Sequence, residues 1–281
     1  MSSGASRAAI YEVLTISKDG KEHPLQGKTV NFNYYESLYS PVVSGNLTYV
    51  DAGGSVEDKK ENLTSIKDGL PITALEDLKV KIQTSFGTID FTRDPFKVTS
   101  SPIMHQESNR QTVLLTFVNE KELRNSEVPV FDRYVGRISD SIKKILQQKL
   151  QISNDKIDIE PTKNSYGFVG KGRGALNIIL DLCRRSVPVK GDAGYFFYQT
   201  QDGFKYKSID SLLSQEPKQK YLYYGALRSN VENSDNDFNI LLAPKVKKDQ
   251  DITKALKDGT YVNRNIFFNP QTFEHSEVIF S

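Results

Sequence analysis

The sequence predicts a mainly β chain with an α+β insertion, in which two antiparallel β-barrels, residues 1–119 and 193–281, flank a mixed segment at 120–192. Three observations predict it. Period-two runs separated by turn residues fill the first part of the chain and return after residue 193. Between those stretches the apolar period changes to that of a helix. Strand-forming aromatics are abundant, 14 Tyr and 15 Phe with no Trp.

The first strand is expected over Ala9-Ile10-Tyr11-Glu12-Val13-Leu14-Thr15-Ile16, closed by Asp19-Gly20, residues that tolerate the positive φ of a hairpin turn. Val30 to Tyr35 alternates, with Asn31 and Asn33 as its polar steps. Gly45 to Val50 alternates again and ends at Asp51-Ala52-Gly53-Gly54. Leu78 to Thr84 has the clearest period of two, followed by Gly87 to Phe91 and by Thr112 to Val118. Repeated short strands with turns between them predict a sandwich or barrel.

In the middle segment Ile138, Ile142, Ile145, Leu146 and Leu150 fall on one helical face, with Lys143, Lys144, Gln147 and Gln148 opposite. A second helix is expected through Ala175 to Arg185, its two arginines suiting the negative end of the helix dipole, and Ser186-Val187-Pro188 stops it. A strand is expected between them at Lys156 to Pro161. Beyond 193, Gly194 to Thr200 and Phe204 to Ser208 flank Asp202-Gly203, a hairpin signal. Lys220 to Tyr224 and Asn265 to Phe268 are expected strands, whereas Asn230 to Asp237 and Lys245 to Asp251 are expected solvated loops. The length suits two compact domains, or one with an insertion.

Charge excludes some partners. With 37 basic and 35 acidic residues the formal charge is +2, too balanced for a chain that binds nucleic acid or a membrane surface through concentrated basic charge. No window approaches the roughly 20 apolar residues of a membrane span, and Met1 to Ala9 is not a signal peptide. A chain that is made in the cytoplasm and stays soluble or assembles there is expected. The single cysteine, Cys183, lies among Ile178, Ile179, Leu180 and Leu182 and reads as a small buried apolar residue.

Catalytic signatures are weak. His23, His105 and His275 each stand alone, without metal-ligand spacing, so no metal and no cofactor is proposed. Gly-x-Ser-x-Gly does not occur. Carboxylate pairs cannot be told from background among 35 acids. Gly170-Lys171-Gly172-Arg173-Gly174 invites a phosphate reading, but P-loop spacing is missing and a plain connection into a helix fits better. Asn46-Leu47-Thr48 and Asn62-Leu63-Thr64 match the glycosylation sequon by chance, given no secretion signal. The clusters Tyr195-Phe196-Phe197-Tyr198 and Tyr221-Leu222-Tyr223-Tyr224 fit strands with one face in a core and the other against a neighbouring domain or subunit. Tyr35, Tyr39, Tyr195, Phe197, Tyr221 and Tyr223 are therefore the candidate interface positions.

Tyr35-Glu36-Ser37-Leu38-Tyr39-Ser40-Pro41-Val42-Val43-Ser44-Gly45-Asn46-Leu47-Thr48-Tyr49-Val50-Asp51 resembles the first-barrel segment of baseplate hub proteins from T-even-like contractile-tailed bacteriophages. In that family an aromatic-Glu-Ser-Leu-aromatic-x-Pro run enters a strand ending in Asp. Leu70-Pro71-Ile72-Thr73-Ala74-Leu75-Glu76 resembles the family's Leu-Pro-Ile-x-Gly-x-Glu step, with Ala74 where glycine is usual. Phe117 to Leu123 and Tyr134 to Ile142 resemble the exit from the first barrel into the insertion, and Tyr195 to Leu212 the start of the second.

The resemblance implies tail-tube-like barrels and a non-enzymatic, structural role. It implies a homotrimer whose six barrels form a pseudo-sixfold ring, joining a central spike protein to tail tube proteins beside the baseplate wedge proteins. It places the chain in the virion tail baseplate, assembled in the host cytoplasm, with DNA passing through the lumen without specific binding and no membrane involved. A lumen more acidic or neutral than the outside is expected. Two other classes stay open from the residues: a tail-associated cell-wall or polysaccharide hydrolase, and a carbohydrate- or nucleic-acid-binding β module.

Overall fold

The computed structural model describes residues 9–54, 56–57, 63–70, 72–84, 87–107, 110–190, 194–217, 221–223, 240–241, 251–260 and 262–280. The readings at Asn62, Pro71, Lys220, Tyr224 and the loops 230–237 and 245–250 fall outside the described residues. The chain divides into two units, one spanning residues 5–217 and the other containing residues 218–281.

Alternation in the first part of the chain is realised as strands β1 (Ile10–Lys18), β2 (Lys21–Pro24), β3 (Thr29–Tyr35), β4 (Ser44–Asp51), β5 (Val56–Glu57) and β6 (Leu63–Thr64). A helical turn, α1 (Ile66–Gly69), precedes β7 (Asp77–Thr84), β8 (Gly87–Ser100), β9 (Ile103–Glu107) and β10 (Arg110–Asn119). Apart from the small β5–β6 pair, these form one eight-stranded sheet in the order β2-β1-β7-β8-β10-β4-β3, with β9 on the free part of β10. Every pairing in it is antiparallel.

Side chains alternate between the faces of a strand, so one face of each strand feeds one core. Leu14 and Ile16 of β1, Leu47 and Tyr49 of β4, Leu78 and Val80 of β7, and Leu115 and Phe117 of β10 are all buried there. Phe96 sits 4.4 Å from Phe91 and 4.8 Å from Phe117, ring centre to ring centre, and Phe117 stacks on Phe32 at 5.6 Å. Gly45 is required by this packing. A Cβ there would lie 2.3 Å from the Asn33 carbonyl oxygen and 2.4 Å from Phe117 Cζ.

The sheet curls far enough to bring Tyr11 of β1 and Phe32 of the edge strand β3 to 6.3 Å. No ladder closes it into a barrel among the described residues; its path ends at β2 and β3. The strand expected to stop at Phe91 runs on to Ser100 through a bulge. Val80 faces Phe91 while Leu78 faces Phe96, so the four residues Thr92 to Pro95 of β8 stand against the single Lys79 of β7. Pro95 has no N–H for a ladder and is tolerated in that bulge.

Next come α2 (Glu120–Glu127), β11 (Arg133–Tyr134), α3 (Ile138–Gln148), β12 (Ile157–Ile159), β13 (Phe168–Val169), α4 (Ala175–Cys183), β14 (Tyr195–Thr200), β15 (Gly203–Ser208) and α5 (Ile209–Leu213). Both helices read from the 3.6-residue period are present. They bury Ile138, Ile142, Ile145, Leu146, Ile178, Ile179 and Leu182 together in a second core. β14, β15 and β12 form a three-stranded sheet in the order β12-β15-β14, with β12 parallel to β15. Tyr195, Phe197, Phe204 and Tyr206 complete the helical core. The boundary expected at 192/193 thus lies inside one core, because the inward aromatics of β14 pack on the helices that precede them. The β14–β15 turn is Gln201-Asp202, one residue earlier than expected.

The second unit contains β16 (Leu222–Tyr223) paired in parallel with β17 (Ile240–Leu241), helix α6 (Ile252–Lys257), and an antiparallel hairpin of β18 (Asn263–Phe268) and β19 (His275–Phe280). Asp251 caps α6 by accepting from the Lys254 N–H at 3.0 Å. These strands form separate two-stranded pieces, not a barrel, among the described residues. No described helix is long and apolar enough to cross a membrane.

Candidate functional site

The six candidate interface residues divide by exposure. Tyr35, Tyr39 and Tyr221 are exposed, Tyr39 at 83%. Tyr195 and Phe197 are interior, their rings on Tyr206 at 4.5 Å and Phe204 at 6.0 Å, so both side chains are occupied within the chain. Of Tyr223 only the backbone is described. Of the two exposed residues of the first unit, Tyr35 ends β3 and Tyr39 lies midway along the loop between β3 and β4, and that loop holds the sheet to the α/β part.

Glu36 is the first fastener. Its Oε1 accepts from the Tyr34 hydroxyl at 2.7 Å and from the Gln201 backbone N–H at 2.7 Å. Burial, followed by the Glu36 carboxylate, raises the Tyr34 hydroxyl well above the usual tyrosine range. Tyr39 then meets Phe196 edge-on at 5.6 Å. Val42 packs into the helical core while its neighbour Val43 packs into the sheet core. The buried Val43 N–H donates to Gln199 Oε1 at 3.0 Å, across 156 residues of sequence. Gln201 Nε2 donates to the Thr88 carbonyl at 2.7 Å. A segment with one foot in each core fixes the two parts more firmly than surface contacts would.

Two carboxylates singled out by the sequence are structural. Asp51 ends β4 and is buried; its oxygens accept from the Ile66 N–H at 2.5 Å, at the start of α1, and from the Gly53 N–H at 3.3 Å, with Lys28 Nζ at 3.5 Å. Glu76 is 2% exposed. Its Oε1 accepts from Lys18 Nζ at 2.9 Å, the Thr73 N–H at 2.9 Å and the Ala74 N–H at 3.3 Å. Burial alone would raise this carboxyl; the Lys18 ammonium and the backbone donors outweigh it and hold it below the usual range.

The loop Gly170 to Gly174 is a structural connection. Val130 bridges Arg173, and Asn125 Oδ1 accepts from the Leu176 N–H at 2.8 Å, filling the cap of α4 from another helix. A Cβ on Gly174 would lie 2.6 Å from that oxygen. One of the first-turn donors that an anion would seek, the Leu176 N–H, is thereby taken.

A cleft of about 290 Å³ lies beside this junction, lined by Asp90, Asp94, Glu120, Lys121, Lys156 and Gln201 among others. The Thr92 hydroxyl and N–H donate to Asp90 Oδ1 at 2.7 and 3.0 Å and hold that carboxyl below its ordinary range, opposite to the shift of a general acid. His23 lies on β2, His105 on β9 beside Glu107 at 3.2 Å, and His275 on β19. Cys183 is buried, and burial pushes its thiol up to about 12.

Sequence reasoning missed Gln199 and Gln201, the residues that receive the β3–β4 loop. A signal existed: Gln199 is a polar residue at a buried step of an aromatic strand, where an unmatched amide would be expensive.

The fold and junction together define a two-core, β-rich protein in which a curled antiparallel sheet is riveted to an α/β part by one loop. The 43 kDa tail protein of prophage MuSo2 from Shewanella oneidensis shares that fold at a TM-score of 0.51 and 11% identity, over 78% of this chain and 57% of that one. A tail protein from Neisseria meningitidis MC58 scores 0.47 at 11% identity, over 77% and 56% of the two chains. An E. coli component of the type VI secretion system, which exhibits structural similarity to the T4 bacteriophage tail proteins gp27 and gp5, scores 0.40 at 9% identity over 72% and 47%. The chain spans little more than half the length of the first of these structures. No protein-family model and no curated protein sequence matches the chain.

Proposed function

We propose that this chain is a structural subunit of a contractile phage tail, the baseplate hub, acting as a homotrimeric pseudo-sixfold ring between the central spike and the tail tube. The observation that carries the reading is the fold shared with the MuSo2 prophage tail protein across 78% of the chain. The motif segments support it, because Glu36, Asp51 and Glu76 all serve the junction or the sheet rather than a reaction.

In this reading the curled sheet of residues 1–119 is the first tube-like barrel, with its seam closed only on assembly. Residues 193–281 contribute the second, and 120–192 is the insertion between them. Partners are sister copies, the spike, tube and wedge proteins; the site of action is the virion tail baseplate, after assembly in the host cytoplasm. The chain has no catalytic task and passes DNA through its lumen. Light scattering on the purified chain, and imaging of intact tails at subunit resolution, test this. A trimer mass and a ring position are expected. A monomer at all concentrations, or hydrolysis of cell-wall polymer by the purified chain, overturns it.

A further inference from the structure

The two edges of the eight-stranded sheet are guarded unequally. β2 is four residues long and carries Lys21, Glu22 and Pro24, the charges and proline that discourage strand addition. β3 is seven residues long, with neither charge nor proline, and reads Thr29-Val30-Asn31-Phe32-Asn33-Tyr34-Tyr35. It pairs only with β4 among the described strands. Phe32 and Tyr34 face the core rings, which places Asn31, Asn33 and Tyr35 on the outer face. Asn33 already extends a polar row across that face, its Nδ2 donating to Asn46 Oδ1 at 2.7 Å.

The β18–β19 hairpin is unguarded in the complementary way. A lone two-stranded hairpin is marginal in water. This one exposes apolar side chains on both faces: Ile266, Phe268 and Ile279 on one, Phe267 and Val278 on the other. β18 reads Asn263-Arg264-Asn265-Ile266-Phe267-Phe268; its Asn-x-Asn spacing repeats that of β3, and like β3 it ends in two aromatics. Antiparallel addition to β3 that sets Asn31 opposite Asn265 extends the asparagine row by that residue. The same register puts Val30, 66% exposed, opposite Ile266, 58% exposed. It also places the Ile266 and Phe268 face on the side of Phe32 and Tyr34. The open edge of β3 and that of β18 are then satisfied by one contact.

We propose that the outer edge of β3 takes up β18 of a second copy of this chain as an added antiparallel strand, so that copies join head to tail. The contact is heterologous, the kind that closes into a ring. This deepens the self-association in the functional reading above and rests on it.

The test uses the full chain with Cys183→Ala, so that introduced thiols are alone. One preparation carries Val30→Cys and another Ile266→Cys, and the two are mixed under mild oxidation. A disulfide-linked species of twice the chain mass, formed on mixing and not by either preparation alone, is expected. Val30→Lys, at an exposed position, is expected to weaken self-association at least tenfold while leaving the circular dichroism spectrum unchanged. If the chain assembles but no cross-link forms and Val30→Lys assembles normally, the strand-addition proposal falls and the hub reading stands. If a chain carrying both cysteines closes a disulfide within itself and mixing gives no cross-link, the hairpin belongs to its own chain and the proposal falls likewise. If the parent chain stays monomeric at every concentration, both readings fall.

Discussion

Replacing Glu76 by Ala is expected to destabilise the chain by about 3 kcal/mol. The figure follows from what the carboxylate holds. Its side chain has no exposed surface, while its partner Lys18 is 23% exposed. Removing one member of a buried pair costs roughly 3–5 kcal/mol, because the other charge is left uncompensated. Lys18 retains some water, which places the loss at the low end. Two backbone N–H groups, of Thr73 and Ala74, also lose their acceptor, but Thr73 is exposed and Ala74 partly so, and water replaces the carboxylate there, which leaves the total at about 3 kcal/mol.

Glu76→Gln separates charge from hydrogen bonding. The amide oxygen still accepts from the backbone, but its NH2 group enters the space of Oε2, which has no hydrogen-bond partner among the described residues. A loss of about 1–2 kcal/mol is expected for it. The pH dependence has a definite sign. The folded carboxyl lies below its usual 4.5, so its contribution is fully present above that value and is lost as pH falls through the lower folded value. The gap between wild type and Glu76→Gln is therefore constant near neutrality and closes in acid. Urea titrations followed by circular dichroism, at a series of pH values, measure this. A Glu76→Ala loss below 1 kcal/mol, or a gap that widens in acid, would refute the assignment of Glu76 to the sheet.

Three further outcomes are expected. Gly45→Ala should lower stability by about 3 kcal/mol, since the new methyl meets a backbone carbonyl and a buried ring that cannot both move; thermal unfolding reads it as a lowered midpoint. Gln199→Ala should cost about 1–3 kcal/mol by orphaning the buried Val43 N–H, and hydrogen exchange of peptides covering residues 40–46 should accelerate, whereas unchanged exchange would show that Gln199 fastens nothing. Cys183 should resist a thiol-reactive dye in the native protein and react fully in denaturant, because its thiol is buried and pushed up to about 12; rapid native labelling would contradict its place on the buried face of α4.

What was legible in the sequence was local. Alternation in β4 and β7 names their inward residues directly, since every second side chain must enter the core. The periods of α3 and α4 likewise placed Ile142, Ile145, Ile178 and Ile179 inward. Short or irregular pieces escaped. β2 is too short and too charged to alternate visibly, β9 is exposed along its length, and α2 has one buried residue, Asn125, so none has an apolar period to read. The bulge at Thr92 to Pro95 hid the continuation of β8, because a proline in an apparent strand argues against the strand. The boundary expected at 192/193 crosses a shared core for a different reason: period two says that a strand has an inner face, not whose core that face enters.

The same distinction governs the candidate site. An aromatic strand could be read as having a face to bury, but only packing decides between the chain itself and a partner. Tyr195 and Phe197 spend their rings on α4 and β15, whereas Tyr35, before the loop that fastens the two cores, and Tyr39, midway along it, stay outside. Burial inside the chain is settled by the nearest core; an exposed aromatic beside a rigid junction has no such outlet. The loop from Glu36 to Val43 therefore does two jobs from one stretch of sequence. Its inward residues hold the sheet and the α/β part in a fixed relation, and that rigidity presents the outward tyrosines and the bare edge of β3 at a fixed angle. A ring built from repeated copies needs such fixity, because angular error at one contact accumulates around the ring and prevents closure. If copies assemble as proposed, loosening Gln199 should thus impair assembly more than the lost stability alone would account for.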